Sequence, residues 1–416
     1  MKWKSVRLGE IARAFISGGT PDTKTSEFWT GRIPWITGAD VVDGKVNLGR
    51  RFISESAVQN SAANIVPKGS VLLVTRTGVG KIAIAQDDIA ISQDLTGIVV
   101  KDGFVPTFVM WAILGQIGSL ISIQRGATIK GVLREDVARL PIPFTGISEQ
   151  RRIVELLEQA DGLRRKRAEA DMLADRILPV LFRKMFGDPV ANDKGWPAAR
   201  FGEIAESRLG KMLDAKQQTG EHRRPYLRNL NVQWARFDLS SILEMDFPPE
   251  QRNEFLLRKG DLLICEGGEV GRSAIWEEQI PECYFQKALH RVRPHADKCV
   301  AEYVLYLLWA LARRGGLIDL NSKATIPHLT GVQLAALRIP LPPVGLQGAF
   351  AGLVQRASAV TQKCVASGES IEALFRTMLH RAFTGELTAK WREAHLKELL
   401  AEMEHQARLL KSPLEQ

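Results

Sequence analysis

Few residues in this sequence stand at spacings that could do covalent chemistry. The seven histidines form no HxH or HExxH set, and Cys265, Cys283, Cys299 and Cys364 include no CxxC pair, so neither a metal cage nor a disulfide framework is indicated. Asp261 and Glu266 lack the following lysine of a metal-dependent nuclease. FPPE, Phe247 to Glu250, fails at both ends of an amino-methyltransferase tetrapeptide, and no GxGxxG follows a strand in a βαβ setting. TRTGVGK, Thr75 to Lys81, is close to a phosphate loop, but it lacks the first glycine and has Ile82 where Ser or Thr must follow the lysine. A second stretch, GGEVGR, puts Arg272 in place of the lysine, so a tight turn between strands is the better reading of both. These absences describe a binder.

What the chain does offer is cations and forked or amide side chains on loops, the groups that hold phosphates and read base edges. In the first half these are Arg76, Thr77 and Lys81 on one loop, Arg125, Thr128 and Lys130 on another, Gln93 between them, and Thr20 as a further candidate. In the second half they are the dense run His222, Arg223, Arg224, Arg228 and Asn229, then Arg272, Gln286, Lys287, His290, Arg291 and Lys323. A formal net charge of +9 and a pI near 9.4 favour a polyanionic partner such as nucleic acid, although charge alone also fits an acidic substrate or a membrane surface. The N-terminus MKWKSVRLGEIA has no apolar h-region, and the run Phe108 to Ile123 contains Gln116 and two glycines. That run falls short of the ~18 apolar residues of a membrane span, so the expected location is the cytoplasm.

The elements that must position these residues come twice. WKSVRLGEIA (Trp3 to Ala12) matches WPAARFGEIA (Trp196 to Ala205), and PKGSVLLVTRTGVGK (Pro67 to Lys81) matches RKGDLLICEGGEVGR (Arg258 to Arg272). Gln93 matches Gln286, Ala127-Thr128-Ile129 matches Ala324-Thr325-Ile326, and RLPIP (Arg139 to Pro143) matches RIPLP (Arg338 to Pro342). The offset drifts only between 191 and 199, which is a duplication with small loop insertions. With 416 residues, 45% of them hydrophobic, there is material for two or three domains with sizeable cores. The expected division is a first domain over 1–147, a long helix over 148–187, a second domain over 188–344, a second long helix over 345–385 and a helical tail over 386–416.

The two helices carry matching apolar registers. Ile153, Ala160, Arg167, Ala174 and Leu181 share one heptad position and Leu156, Leu163, Ala170 and Ile177 the other; 197 residues later Phe350, Ala357, Cys364, Ile371 and Met378 repeat the first, and Leu353, Val360, Ser367, Leu374 and Arg381 the second. Two such seams suggest an antiparallel coiled-coil pair, with Pro179 a candidate kink in the first. A 39-residue helix is ~58 Å long at 1.5 Å per residue, enough to hold two readers about one DNA turn, ~34 to 36 Å, apart with both ends anchored. The fold class is therefore α/β (α+β), as two tandem domains separated by paired long helices with an internal pseudo-twofold.

The chain resembles the specificity subunit of type I restriction-modification enzymes over essentially its whole length. GGTPDT (Gly18 to Thr23), EFWTGRIPWI (Glu27 to Ile36), ISEQRRIVELLEQAD (Ile147 to Asp161) and AFTGELTAKWREAH (Ala382 to His395) carry the likeness. The second copy departs from it, with GKMLDAKQQTG (Gly210 to Gly220) for GGTP and LQGAFAGLVQ for SEQRRIVELLE. The resemblance implies two target recognition domains, each reading half of a split, asymmetric DNA target. It implies long helices that bind two modification subunits, which would carry S-adenosylmethionine and methylate adenine. Restriction subunits using ATP and Mg would join them, and this chain would hold no cofactor, no metal and no catalytic residue. The expected partner patch is the outer face of the helices at Ile153, Leu157, Leu353 and Val354. The alternatives are a DNA- or RNA-binding coiled-coil scaffold and a divergent DNA methyltransferase or nuclease.

Overall fold

The structure, a computed structural model, describes residues 3–48, 50–126, 130–214, 218–317 and 328–411. The chain divides into two compact units, Met1–Arg167 with Gly368–Gln416, and Ala168–Ser367. Each unit is built around a short strand that is apolar at every position. VLLV of Val71–Val74 and LLIC of Leu262–Cys265 are buried throughout, because each strand has packed side chains on both faces. Val71 and Leu73 face one core and Leu72 and Val74 another, as Leu262 and Ile264 are separated from Leu263 and Cys265.

In the first unit this strand lies in an antiparallel sheet of order Ala12–Ser17, Leu95–Val100, Val71–Val74, Ile82–Ile84. A second sheet has the order Phe52–Ile53, Ile33–Ile36, Ile89–Ile91, Asn64–Val66, and its central pair is parallel. The second unit repeats the first sheet as Ala205–Leu209, Leu289–Pro294, Leu262–Cys265, Ser273–Ile275 and three strands of the second as Leu243–Asp246, Arg223–Leu227, Tyr284–Phe285, again with one parallel pair. Strand register corrects one pairing read from the sequence. Ile91 lies beside Ile36 as Phe285 lies beside Leu227, so Gln286 corresponds to Ser92 and Lys287 to Gln93. The backbone bonds Ser92 N to Ile36 O (2.9 Å) and Gln286 N to Leu227 O (3.1 Å) show the same register. The second copy has gained residues ahead of this strand, since Phe285 stands 194 residues after Ile91 but Leu227 only 191 after Ile36, and matching two glutamines by type hid the one-residue slip.

The long helices span Ile147–Phe186 and Val344–Thr384. The first helix runs on through Pro179. Gly187 and Gly385, at φ +82 and +83, end them in the left-handed conformation that a Cβ would penalise. The N-terminal part of the first helix and the C-terminal part of the second belong to the first unit, where Ile153, Leu157 and Ala160 share a core with Phe375 and Ala382. In the second unit the opposite ends meet, with the Phe182 and Phe186 rings each 5.5 Å from Phe350. This is an antiparallel course.

The expected seam is not the buried one along its length. Leu163, Ile177, Val360 and Leu374 are 58%, 54%, 61% and 54% exposed. The stripes that are buried face the cores of the globular bodies, where sheet and helix Pro106–Leu114 or Ala301–Arg313 supply large apolar partners. Small side chains at Ala170 and Ala174 left little area to bury between the helices themselves.

A buried amide roots each helix. Gln150 Oε1 accepts from Val105 N (2.9 Å) while its Nε2 donates to Thr145 O (2.8 Å). Gln347 repeats this with Val300 N (3.2 Å), Pro342 O (2.7 Å) and Lys298 O (3.2 Å). Both side chains are fully buried, so these bonds replace water that cannot reach them.

The tail belongs to the first unit. Its helix Leu396–Lys411 buries Leu399, receives the Ser148 N–H on Glu402 (3.0 Å) and donates from Gln406 to Gly103 O. Just before it, Arg392 Nε donates to Glu149 (2.8 Å), which also accepts from Thr388 (2.6 Å) and Thr145, and the guanidinium sits 4.5 Å over the Trp3 ring. Glu149 is fully buried, and among the described residues Arg392 is the cation paired with it. Arg392→Met is expected to destabilise the first unit by ~3–5 kcal/mol, because removing one partner strands the other. Urea unfolding checks this, and adding Glu149→Leu is expected to restore most of the loss.

Candidate nucleic-acid interface

Both glycine-rich segments are hairpin turns. Val74 N bonds Lys81 O (2.8 Å) and Gly80 N bonds Val74 O (3.2 Å), while Cys265 N bonds Arg272 O (2.8 Å) and Gly271 N bonds Cys265 O (3.1 Å). Lys81 Nζ then donates to Gly38 O (3.2 Å), and Arg272 Nη2 donates to the equivalent carbonyl of Asn229 (2.8 Å). The shared cation of the two turns thus ties hairpin to neighbouring loop. Lys81 stays exposed, whereas Arg272 is mostly covered.

Three more backbone ties recur and bring the other loops to the same end of the sheet. Gly19 N bonds Ile91 O (3.1 Å) as Lys211 N bonds Phe285 O (3.1 Å). Thr75 N bonds Asp94 O (2.8 Å) as Glu266 N bonds Ala288 O (3.0 Å). Val132 N bonds Thr75 O (2.9 Å) as Leu329 N bonds Glu266 O (2.7 Å). The frame is common and the side chains on it are not.

In the first unit this edge gathers the expected residues. Thr20, Arg76, Thr77, Lys81, Gln93, Arg125 and Lys130 are exposed there. Thr20 Oγ1 donates to Gln93 Oε1 (2.7 Å), and Arg125, 63% exposed, lies 3.6 Å from Asp136. Thr128 and Lys323 lie outside the described residues.

The second unit sorts its candidates differently. The run from His222 to Asn229 is divided by the strand Arg223–Leu227, which separates its ends by roughly 13 Å at the rise of a strand. Arg228 and Asn229 are on the loop edge, and Arg228 Nη2 donates to Ser241 O (3.1 Å). Arg223 and Arg224 are at the opposite end, where Arg224 pairs with Glu282 (3.0 Å). Arg291 is 4% exposed, donates to Glu254 O (2.8 Å) and stacks 5.5 Å over Phe285, so its charge serves the fold. Gln286 is half-buried and Lys287 exposed on the edge. Sequence reasoning passed over Met212 and Leu230, both 64% exposed on this edge, because a search for cations and amides ignores apolar residues.

The expected partner patch is also corrected. Ile153 and Leu157 are fully buried and Leu353 and Val354 pack against the second core, since apolar residues at the root of each helix complete the globular body. The exposed apolar stripe lies further along the first helix, at Leu173, Ile177 and Val180, spaced four and three residues apart.

Among the described residues no group of three His, Cys, Asp or Glu converges as a metal site would, and no helix is long and apolar enough to cross a membrane. Burial pushes the Cys265 thiol at the hairpin base up to about 11, which leaves it protonated.

The model of the type I restriction modification DNA specificity domain matches residues 1–170 and again 193–357. The MjaIX specificity subunit of Methanocaldococcus jannaschii is 29% identical over 242 residues, 53% of this chain and 55% of that protein. The EcoR124I/EcoR124II specificity subunit of Escherichia coli is 29% identical over 171 residues, 39% of this chain and 41% of that one. These matches thus span about half the length of those relatives or less. In fold, the chain is similar to a type I restriction-modification S subunit from M. genitalium, with a TM-score of 0.53 at 17% identity over 92% of this chain and 96% of the other.

His290, 1% exposed beneath the second edge, bonds Leu329 O through Nε2 (2.9 Å), and a carbonyl can only accept, so Nε2 carries the proton. Burial holds the imidazole below its ordinary 6.5, against the upward pull of Leu329 and Glu266. The unfolded chain therefore takes up a proton that the folded one refuses, and stability is expected to fall as pH drops below 6.5. Urea midpoints at about pH 7.5 and about pH 5 check this, with His290→Gln flattening the difference.

Proposed function

From the premise that this chain belongs to the type I restriction-modification DNA specificity family, we propose that it is the sequence-reading subunit of such a system and binds a bipartite, asymmetric duplex target. Each unit presents its loop edge to one half-site. The long helices set the gap between the half-sites, and the exposed stripe of the first at Leu173, Ile177 and Val180 receives modification subunits. Two such subunits supply S-adenosylmethionine and the methyl transfer to adenine, and restriction subunits supply ATP- and Mg-dependent cleavage. The chain itself catalyses nothing, carries no cofactor and works in the cytoplasm.

One observation carries this reading. Five loops are joined by the same ties in both units and differ in the groups they present: Thr20 against Met212, Gln93 against Lys287, Lys81 against Arg272. A common frame with unlike side chains suits two readers of unlike words. Phosphate contacts from the cations position each reader, and the side chains between them discriminate bases.

The test is a footprint and a methylome. Two protected base sets separated by an unprotected gap are expected, and deleting the gene is expected to erase one bipartite methylation motif. Gln93→Ala is expected to cost about 1–3 kcal/mol at a base pair of one half-site only. Lys287→Ala is expected to act on the other half-site, lowering the salt slope of binding by about one. Equal losses at both half-sites from either substitution would overturn the assignment.

A further inference from the structure

The second loop edge carries large apolar side chains where the first carries a hydrogen-bonding threonine and a small alanine. Lys211 N bonds Phe285 O (3.1 Å) and Lys287 N bonds Lys211 O (2.9 Å) on one side of the Gln286 bend, while Gln286 N bonds Leu227 O (3.1 Å) on the other. The loops that begin at Lys211 and at Arg228 therefore flank that bend. Met212 on one and Leu230 on the other are each 64% exposed. Their counterparts by backbone register are Thr20 and Ala39, and Thr20 is hydrogen-bonded to Gln93.

Two cations lie close by along the same loops: Arg228 stands two residues before Leu230, and the exposed Lys287 bonds through its backbone N–H to the carbonyl of Lys211, just before Met212. An edge with this charge complements a polyanion, and phosphates take the cations. Phosphate offers nothing to a thioether or an isobutyl group. On a base edge in the major groove the apolar group is the thymine C5-methyl. Met adapts its unbranched chain to such a contact.

We propose that Met212 and Leu230 make the second unit a reader of thymine methyl groups. This rests on the DNA-reading function above and names the base chemistry that one edge selects. The first unit, with Thr20 in place of Met212 and hydrogen-bonded to Gln93, and only Ala39 in place of Leu230, discriminates by hydrogen bonding instead.

The test uses the full chain assembled with the modification subunits of its own system and duplexes carrying its methylome-defined target. The second unit's half-site is the one altered by Lys287→Ala. Each thymine is replaced singly by deoxyuridine, which removes only the methyl. At one or more thymines of that half-site binding is expected to weaken about fourfold, the equivalent of one buried methyl at ~0.8 kcal/mol. The double variant Met212→Ser with Leu230→Ser is expected to bind thymine and deoxyuridine duplexes equally and to leave the other half-site unchanged. A half-site without thymine, unchanged binding of every deoxyuridine duplex, or a double variant that still discriminates would overturn the proposal. So would a double variant that fails to assemble while its DNA discrimination survives, which would mark the edge as a protein-docking face. Protection of both half-sites with no deoxyuridine effect sinks the methyl reading alone; the absence of any bipartite target sinks the DNA-reading function and this inference with it.

Discussion

A glutamine amide sealed away from water at the first turn of each long helix is the constraint on which both units depend. Left unpaired, such a group costs about 1–3 kcal/mol, so the native fold must supply backbone partners from several segments at once. Gln150 and Gln347 find them in the segment that leads out of the sheet and in the loop that opens the next helix. Strand exit, helix root and helix-preceding loop are thereby held in one frame. The loops at the far end of the sheet inherit that frame, because the buried central strand connects the two ends.

The loop edge shows how a duplicated scaffold diverges without losing its geometry. Backbone ties do not care which side chain they carry, so Gly19 and Lys211, or Thr75 and Glu266, make the same bonds. The hairpin cation is a middle case. Lys81 and Arg272 both reach a neighbouring carbonyl, but the ammonium of Lys81 remains open to a phosphate while the guanidinium of Arg272 is largely spent inside the protein. Divergence is concentrated where side chains leave the frame, and there one unit offers a hydroxyl and an amide, the other a thioether, an isobutyl group and an ammonium.

Much of this was legible in the sequence. The doubly buried strands announce themselves as VLLV and LLIC, the hairpins as glycine pairs after them, and the duplication as an offset that barely drifts. The helix roots were harder, because Gln347 stands in GLQGA, a stretch that shares only that glutamine with SEQRR. The Arg392–Glu149 pair joins residues 243 apart, and no local pattern links them. Charge was read too generously. Arg291 looks the same as Arg228 in a sequence, and only the ring of Phe285 and the carbonyl of Glu254 turn it inward.

From the sequence alone follow the two-copy architecture, the two long antiparallel helices, the hairpin nature of the glycine-rich turns and the family to which the chain belongs. These are local or periodic properties, written in neighbouring residues. Which apolar stripe is buried, which arginines face solvent, where the tail docks and how Gln286 aligns with the first copy were decided only in three dimensions. Each of those depends on what a side chain meets from a distant segment: Ile153 and Leu157 belong to a core rather than a partner patch because Phe375 and Ala382 arrive to cover them. Periodicity states that a face will be buried, and tertiary contact chooses the partner.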